Sequence, residues 1–317
     1  MKWLLRTLLF LLVVLGAAFL IFRTPDTDPA EMRAKYGAEP SQFVLLGSGQ
    51  KVHLRDEGPK DAPAIILLHG SAADLHTWEP WVQGLKQDYR VIRFDQVGHG
   101  LTGPDRKGDY SLESFVADID DVANAMGLQE FVLAGSSMGG SHTAAYAMAH
   151  PDRLLGAILV GASGAPVRPE RNASFTYTLA QTPGINQIMA QITPRSMIEQ
   201  SFGDMVTNKA IMTDEVIDRY WELLRFPGNR QATLTRFGNP RTAFEAGDIA
   251  SIPVPGLILC GEKDPLIPPP SCEWYDANWT NSEIAMYPGI GHLPHEEAPE
   301  ATLETVKAWL LNITQTT

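Results

Sequence analysis

Cysteine is nearly missing from this chain: Cys260 and Cys272 are the only two among 317 residues. That count excludes a disulfide scaffold, and neither cysteine belongs to a Cys/His cluster of zinc-like spacing. Cys260 closes the apolar run GLILC, so the pair reads as two inert thiols, or as a single disulfide if the domain is exported. Dense basic patches and blocks of like charge are missing as well, and the formal charge is −12. Both argue against a nucleic-acid partner or an anionic membrane surface for the body of the chain. Internal repeats and low-complexity tracts are also missing. What remains is an ordinary globular composition, 44% apolar and 20% charged. It is long enough for one large domain or two small ones with a sizeable core.

The chain does have one long apolar run, at its start. MKWLLRTLLFLLVVLGAAFLIF carries Lys2 and Arg6, and then no polar side chain from Leu8 to Phe22. That length suits a membrane helix. Gly16-Ala17-Ala18 would suit a signal-peptide cleavage site, but FLIF continues the run past it, which favours retention. Residues 1–24 therefore read as a membrane anchor or signal segment. The positive flank favours a body outside the cytoplasm, membrane-anchored, or secreted or periplasmic if the segment is cleaved. Residues 25–40, polar and rich in proline, read as a linker.

Two short alternating runs, QFVLL and KVHLRDEG, flank GSGQ and predict a hairpin. AIILLHG (64–70), YRVIRFDQ, EFVLAGSS, LLGAILVGA and VPGLILCGEKD are apolar runs of the kind that form strands buried on both faces, and SEIAMYPGIGH is a weaker last one. Helical patterns lie between them. In SLESFVADIDDVANAMG, Ser111 is a plausible N-cap and Gly127 a plausible stop; APEATLETVKAWLLNI is amphipathic. Strands alternating with helices predict a mostly parallel sheet covered on both faces. The alternation breaks once, from about Pro166 to Ala250, where helical stretches such as DEVIDRYWELLRF are punctuated by TPG, FPG and GNP. Residues 41–165 and 251–317 thus read as a core interrupted by a helical insertion over 166–250.

Within AGSSMGG a single register satisfies G-x-S-x-G, namely Gly135-Ser136-Ser137-Met138-Gly139. It follows a buried-strand pattern and opens the helical pattern MGGSHTAAYAMAHP. A turn that sharp needs small neighbours, so that the serine hydroxyl projects from the sheet edge. No phosphate-loop pattern can be aligned here. A serine hydroxyl needs a base, and the base an orienting acid. GLILCGEKD delivers Asp264 past a strand end and YPGIGHLPHE delivers His292 in a glycine-flanked loop; Glu262, His295 and His99 are rivals. The backbone N–H groups of Ser71 or Ala72, and of Met138, are candidate oxyanion donors. His69 reads as a residue that orients the loop after AIILLHG.

In order along roughly residues 40–315, the motifs HGSA, FDQVGHGLTG, GSSMGG, AHPDR, GEKDPLIP and GIGHLPHEEAP resemble the α/β-hydrolase superfamily. The branch is the one with an HG oxyanion loop and a helical cap. The resemblance implies an α/β fold with an eight-stranded, mostly parallel sheet, helices on both faces and a cap inserted over 166–250. It implies Ser137, His292 and Asp264 as a catalytic triad, and the N–H groups of Ser71 and Met138 as the oxyanion hole. Asp95 would sit in a structural turn, and Trp78 and Trp81 in the core. Members that open epoxides or displace halides carry an aspartate at the nucleophile position, so Ser137 argues against both. Esters, thioesters, lactones, amides, the C–C bonds of ring-fission products and cofactor-free perhydrolysis remain. The C–C hydrolases usually carry a more glycine/proline-rich oxyanion loop than HGSAAD, and a tryptophan where this chain has Leu293.

The expectation is a carboxylic-ester hydrolase acting on an apolar small-molecule ester, with no metal or organic cofactor implied. A C–C hydrolase, a lactonase or perhydrolase, and a catalytically silent binding module are the alternatives. In the cap, Phe175, Tyr177, Met189, Met197, Met205, Met212 and Trp221 read as cap core or as an adaptable apolar pocket. Arg168, Arg171 and Arg195 could pair with a substrate carboxylate.

Overall fold

The computed structural model describes residues 2–167, 184, 187, 190–239 and 243–314. Eight strands form one sheet in the order β1-β2-β4-β3-β5-β6-β7-β8. They are β1 (Ser41–Leu45), β2 (Lys51–Glu57), β3 (Ala64–Leu68), β4 (Arg90–Phe94), β5 (Phe131–Ser136), β6 (Leu154–Val160), β7 (Gly256–Gly261) and β8 (Ser282–Tyr287). The β1–β2 and β2–β4 pairs are antiparallel and every other pair is parallel. Each predicted strand is present, and the sheet is mostly parallel as the alternation requires.

The central strands are continuous apolar runs because both their faces are covered. Ile66 and Leu68 of β3, with Phe131 and Leu133 of β5, enter one core cluster; Ile65, Leu67, Val132 and Ala134 enter the other. The period-2 alternation thus sends side chains to two cores instead of to core and solvent. Each fully buried aliphatic side chain is worth about 1.5–3 kcal/mol. One face is closed by α4 (Leu112–Ala125), α5 (Met138–Ala149) and a helix over Pro269–Asn278; the other by α3 (Glu79–Leu85) and the last helix, Pro299–Thr314. Ser111 caps α4 by accepting the Ser114 N–H, and Gly127 follows it at φ 69°.

Between β6 and β7 the described elements are helical: α6 (Arg195–Met205), α7 (Asp214–Leu224), α8 (Asn229–Gly238) and α9 (Ala246–Ala250). Phe202, Val206, Ile217 and Tyr220 form their own cluster, which also takes in Ala73 and Leu293 from the sheet's C-terminal edge.

One expectation needs correction. The segment read as a linker contains α2 (Pro29–Tyr36), whose first turn is capped by the Asp28 carboxylate. It is held because Met32 packs with Leu101, Leu223 and Phe226, and because the Tyr36 hydroxyl donates to Glu222 at 2.6 Å. Just before it, Thr24 donates to the Gln191 carbonyl and Arg230 pairs with Asp26, so this stretch is tied to the insertion. Of the two readings of the cysteines, the structure has the disulfide Cys260–Cys272, with the Cα atoms 6.5 Å apart. It joins β7 to the Pro269–Asn278 helix across the segment that carries Asp264.

Preceding all of this is α1 (Lys2–Phe22), with mean hydropathy 2.5 over Leu5–Phe22 and none of that window buried. It is the one helix among the described residues long and apolar enough to cross a membrane.

Candidate active site

Ser137 makes the turn from β5 into α5 with φ 54° and ψ −113°. Positive φ strains an L-residue by about 1–3 kcal/mol and tends to be kept where function needs it. Among the described residues the only other non-glycine case is Ala72, φ 59°, in the loop after β3. The small neighbours are required sterically. A Cβ on Gly135 would lie 2.1 Å from the Gly139 carbonyl oxygen, and one on Gly139 would lie 2.4 Å from that of Leu68. Ser136 is 1% exposed and its hydroxyl has no partner among the described residues, whereas Ser137 is half-buried. The Ser137 N–H donates to Val160 O at 2.9 Å. Its carbonyl accepts both the N–H and the hydroxyl of Ser163, at 3.1 and 3.2 Å.

Asp264 and His292 meet beside this turn. Asp264 Oδ1 accepts the N–H groups of Leu266 and Ile267 at 2.8 and 2.9 Å, and Oδ2 accepts from His292 Nδ1 at 2.7 Å. Both residues are buried. A donor at Nδ1 leaves the Nε2 lone pair free, the form a general base needs. Gly161, next to the Val160 that holds Ser137, lies against the pair: a Cβ there would be 3.3 Å from Asp264 Oδ2 and 3.5 Å from His292 Nδ1.

The rivals lie elsewhere. Glu262 is exposed and accepts the Gly289 N–H. His295 is fully buried with its ring 4.3 Å from that of Trp78, and burial, with His292 nearby, pushes its pKa down to about 3. His99 is buried beside His69 and donates to the Val97 carbonyl; burial first, then His69 and Arg236, holds it well below the ordinary histidine value.

The loop after β3 is set from beneath. His69 Nδ1 donates to the Gly70 carbonyl at 2.7 Å, and Nε2 accepts the Gln96 N–H at 3.0 Å. Those roles make the ring neutral, in keeping with a pKa lowered by burial. Gln96 also donates from Nε2 to His69 O and accepts from His142 Nδ1. Asp95 accepts from Leu75 N, Leu101 N and His53 Nδ1, which fills a structural turn. A Cβ on Gly70 would be 3.2 Å from Ser137 Cβ, so the loop carrying Ser71 lies against the serine turn. The Met138 N–H opens α5 and has no intrahelical acceptor, and the helix N-terminus adds a positive field at the same place. The arrangement can activate a hydroxyl and bind a developing oxyanion.

The insertion closes over this edge. Arg236 of α8 donates from Nη2 to Ser71 Oγ at 2.6 Å. Arg195, a candidate carboxylate partner, is instead bonded to Asp214 and Asp218. Met205 and Met212 pack into the insertion's own cluster and Trp221 donates to Thr193 O, which favours the cap-core reading for these three, whereas Met197 is 40% exposed and outside that cluster. Phe175, Tyr177, Met189, Arg168 and Arg171 lie outside the described residues. Gln96, Ser163 and Arg236 were not anticipated. Gln96 stands in the motif FDQVGHG and could have been suspected from it; the other two carry no local signal.

The model of the family described as alpha/beta hydrolase fold matches residues 63–299. A 2-hydroxy-6-oxo-2,4-heptadienoate hydrolase of Pseudomonas putida is 28% identical over 240 residues, covering 73% of this chain and 82% of that protein. A carboxylesterase of Bacillus subtilis is 25% identical over 285 residues, covering 86% and 88%. Among solved structures, a membrane phospholipase A described as a bacterial virulence factor superposes with TM-score 0.75 at 22% identity, over 99% of both chains.

Proposed function

Because the chain belongs to the alpha/beta hydrolase fold family, we propose that it is a serine hydrolase that cleaves carboxylic esters through an acyl-enzyme. The observation that carries this reading is the buried His292–Asp264 hydrogen bond of 2.7 Å at the sheet edge where Ser137 stands in its strained turn. In the mechanism, His292 Nε2 takes the Ser137 proton as Oγ attacks the ester carbonyl carbon. The Ser71 and Met138 N–H groups hold the oxyanion, and Asp264 keeps the imidazole oriented and stabilises its cation. His292 then returns the proton to the leaving alcohol. Water, deprotonated by the same nitrogen, attacks the acyl-enzyme and releases the acid.

The insertion acts as a cap whose apolar residues favour an apolar acyl group. In this reading α1 anchors the protein in a membrane with the catalytic domain outside the cytoplasm. A disulfide in the core supports that side, since such bonds persist in oxidising compartments. Removal of residues 1–22 should release an active enzyme from the membrane fraction.

A second reading, C–C bond hydrolysis, is favoured by the Pseudomonas putida relative. Against it, the residue after His292 is Leu293, which packs into the insertion's cluster. Hydrolysis of p-nitrophenyl esters of graded chain length, beside a lactone and a ring-fission dienoate, tests both. Ester turnover rising with chain length supports the first, and a strong preference for the dienoate replaces it with the second.

A further inference from the structure

Glu297 lies shortly after His292 and is 5% exposed. Its carboxylate Oε2 accepts the Thr207 N–H at 2.7 Å, the Thr207 hydroxyl at 2.8 Å and the Asn208 N–H at 3.0 Å; Oε1 accepts the Leu293 N–H at 3.2 Å. A buried carboxylate is costly unless its oxygens are hydrogen-bonded, and here the donors come from two separate places. Leu293 belongs to the loop of His292, whereas Thr207 and Asn208 belong to the insertion, just past α6. Three further bonds cross the same seam: the His292 N–H donates to Met205 O at 2.9 Å, Asn208 Nδ2 donates to Glu297 O at 3.2 Å, and the Thr207 hydroxyl, shared with Glu297, meets the Gly289 carbonyl at 2.7 Å. The approach is close enough to require glycine at 291, where a Cβ would lie 2.5 Å from Met205 O and 2.8 Å from Glu297 Oε1.

We propose that Glu297 is a positioning residue: its carboxylate locks the insertion segment 205–208 to the His292 loop, so that seating of the insertion and placement of His292 are one event. The inference rests on the reading of His292 as the base. Glu297 acts only through His292 and touches no substrate. A glutamine at 297 keeps the shape but has one oxygen. Left facing the three insertion donors, that oxygen puts an NH2 group against the Leu293 N–H, and the loop is released.

The test uses the full-length chain and a p-nitrophenyl ester. E297Q should lower kcat by roughly tenfold to a hundredfold with KM nearly unchanged, since displacement of a reacting group by about 1 Å costs on that order. T207V removes the hydroxyl that meets Glu297 Oε2 and the Gly289 carbonyl but keeps both main-chain donors to Glu297, and should lower kcat less. The double variant should lose far less than the product of the two single losses, because the Thr207 hydroxyl acts mainly through Glu297, with the Gly289 carbonyl of the same loop as its one other partner at 2.7 Å. Wild-type kcat in E297Q, or independent losses that multiply in the double variant, would overturn the proposal. If E297Q does not fold, T207V decides: reduced kcat at unchanged KM supports it and wild-type kcat overturns it. Failure of the wild-type enzyme itself to turn over esters would instead count against the proposed function.

Discussion

Replacing Asp264 by asparagine separates the acid's role from its bulk. The two oxygens of Asp264 face different partners: two main-chain N–H groups at 2.8 and 2.9 Å on Oδ1, and His292 Nδ1 at 2.7 Å on Oδ2. Asparagine has one oxygen for the two places. Turning its NH2 toward Leu266 and Ile267 forfeits two hydrogen bonds and leaves two donors opposed, about 2–4 kcal/mol in all. The carbonyl oxygen therefore stays at the Oδ1 position, favoured by roughly thirtyfold to a thousandfold. The NH2 then faces His292 Nδ1, which must accept, and the imidazole proton moves to Nε2. A histidine protonated there cannot take the Ser137 proton, and kcat should fall by about 10³–10⁴. The assay is p-nitrophenyl ester turnover beside a thermal melt that shows the variant folded. D264N within about tenfold of wild type, or a collapse of activity in E262Q instead, would refute the reasoning.

Ser137→Ala should abolish ester hydrolysis and Ser136→Ala should retain a substantial fraction, measured on the same substrates; equal loss in both would mean that the nucleophile is misassigned. Asp118 is buried with Oδ2 unpartnered among the described residues. Burial, and then Asp105, Asp121 and Asp109, raise its pKa to about 7 despite Lys107. The folded state thus keeps a proton that the unfolded chain loses above about pH 4, and stability declines as pH climbs toward 7. D118N removes that penalty, so denaturant melts should show it about 2–4 kcal/mol more stable than wild type at pH 8 and little different at pH 4. Truncation of residues 1–22 should leave the melting temperature nearly unchanged, whereas truncation of 1–40 should lower it. The second deletion removes Met32 from its buried contacts, and a lost core methionine costs about 2–5 kcal/mol.

Strands β3 to β7 were legible because buried parallel strands are unbroken apolar runs, a signal that survives without knowledge of partners, and the β1–β2 pair because two alternating runs flank a turn. The placement of Ser137, Asp264 and His292 was legible for a related reason, since each follows a strand and so must reach the sheet's C-terminal edge. Helix α2 was not legible. It is short and buries only Met32, so it has no apolar periodicity, and its only signal was the pairing of Asp28 with Pro29. Glu297 and Arg236 were hidden because their partners are remote: Glu297 bonds a segment 90 residues earlier, and Arg236 reaches Ser71 across 165. The disulfide was left open because a spacing of 12 residues says nothing about whether the two Cα atoms lie 6.5 Å apart.

The central claim is that Ser137 is a nucleophile activated by His292 and Asp264. The most direct test is reaction of the folded, full-length protein with a fluorophosphonate probe, followed by peptide mapping of the modified residue. The account predicts one label per chain, on Ser137, with the reaction much slower in H292A. No modification of the folded protein, or modification of a residue other than Ser137, would contradict it.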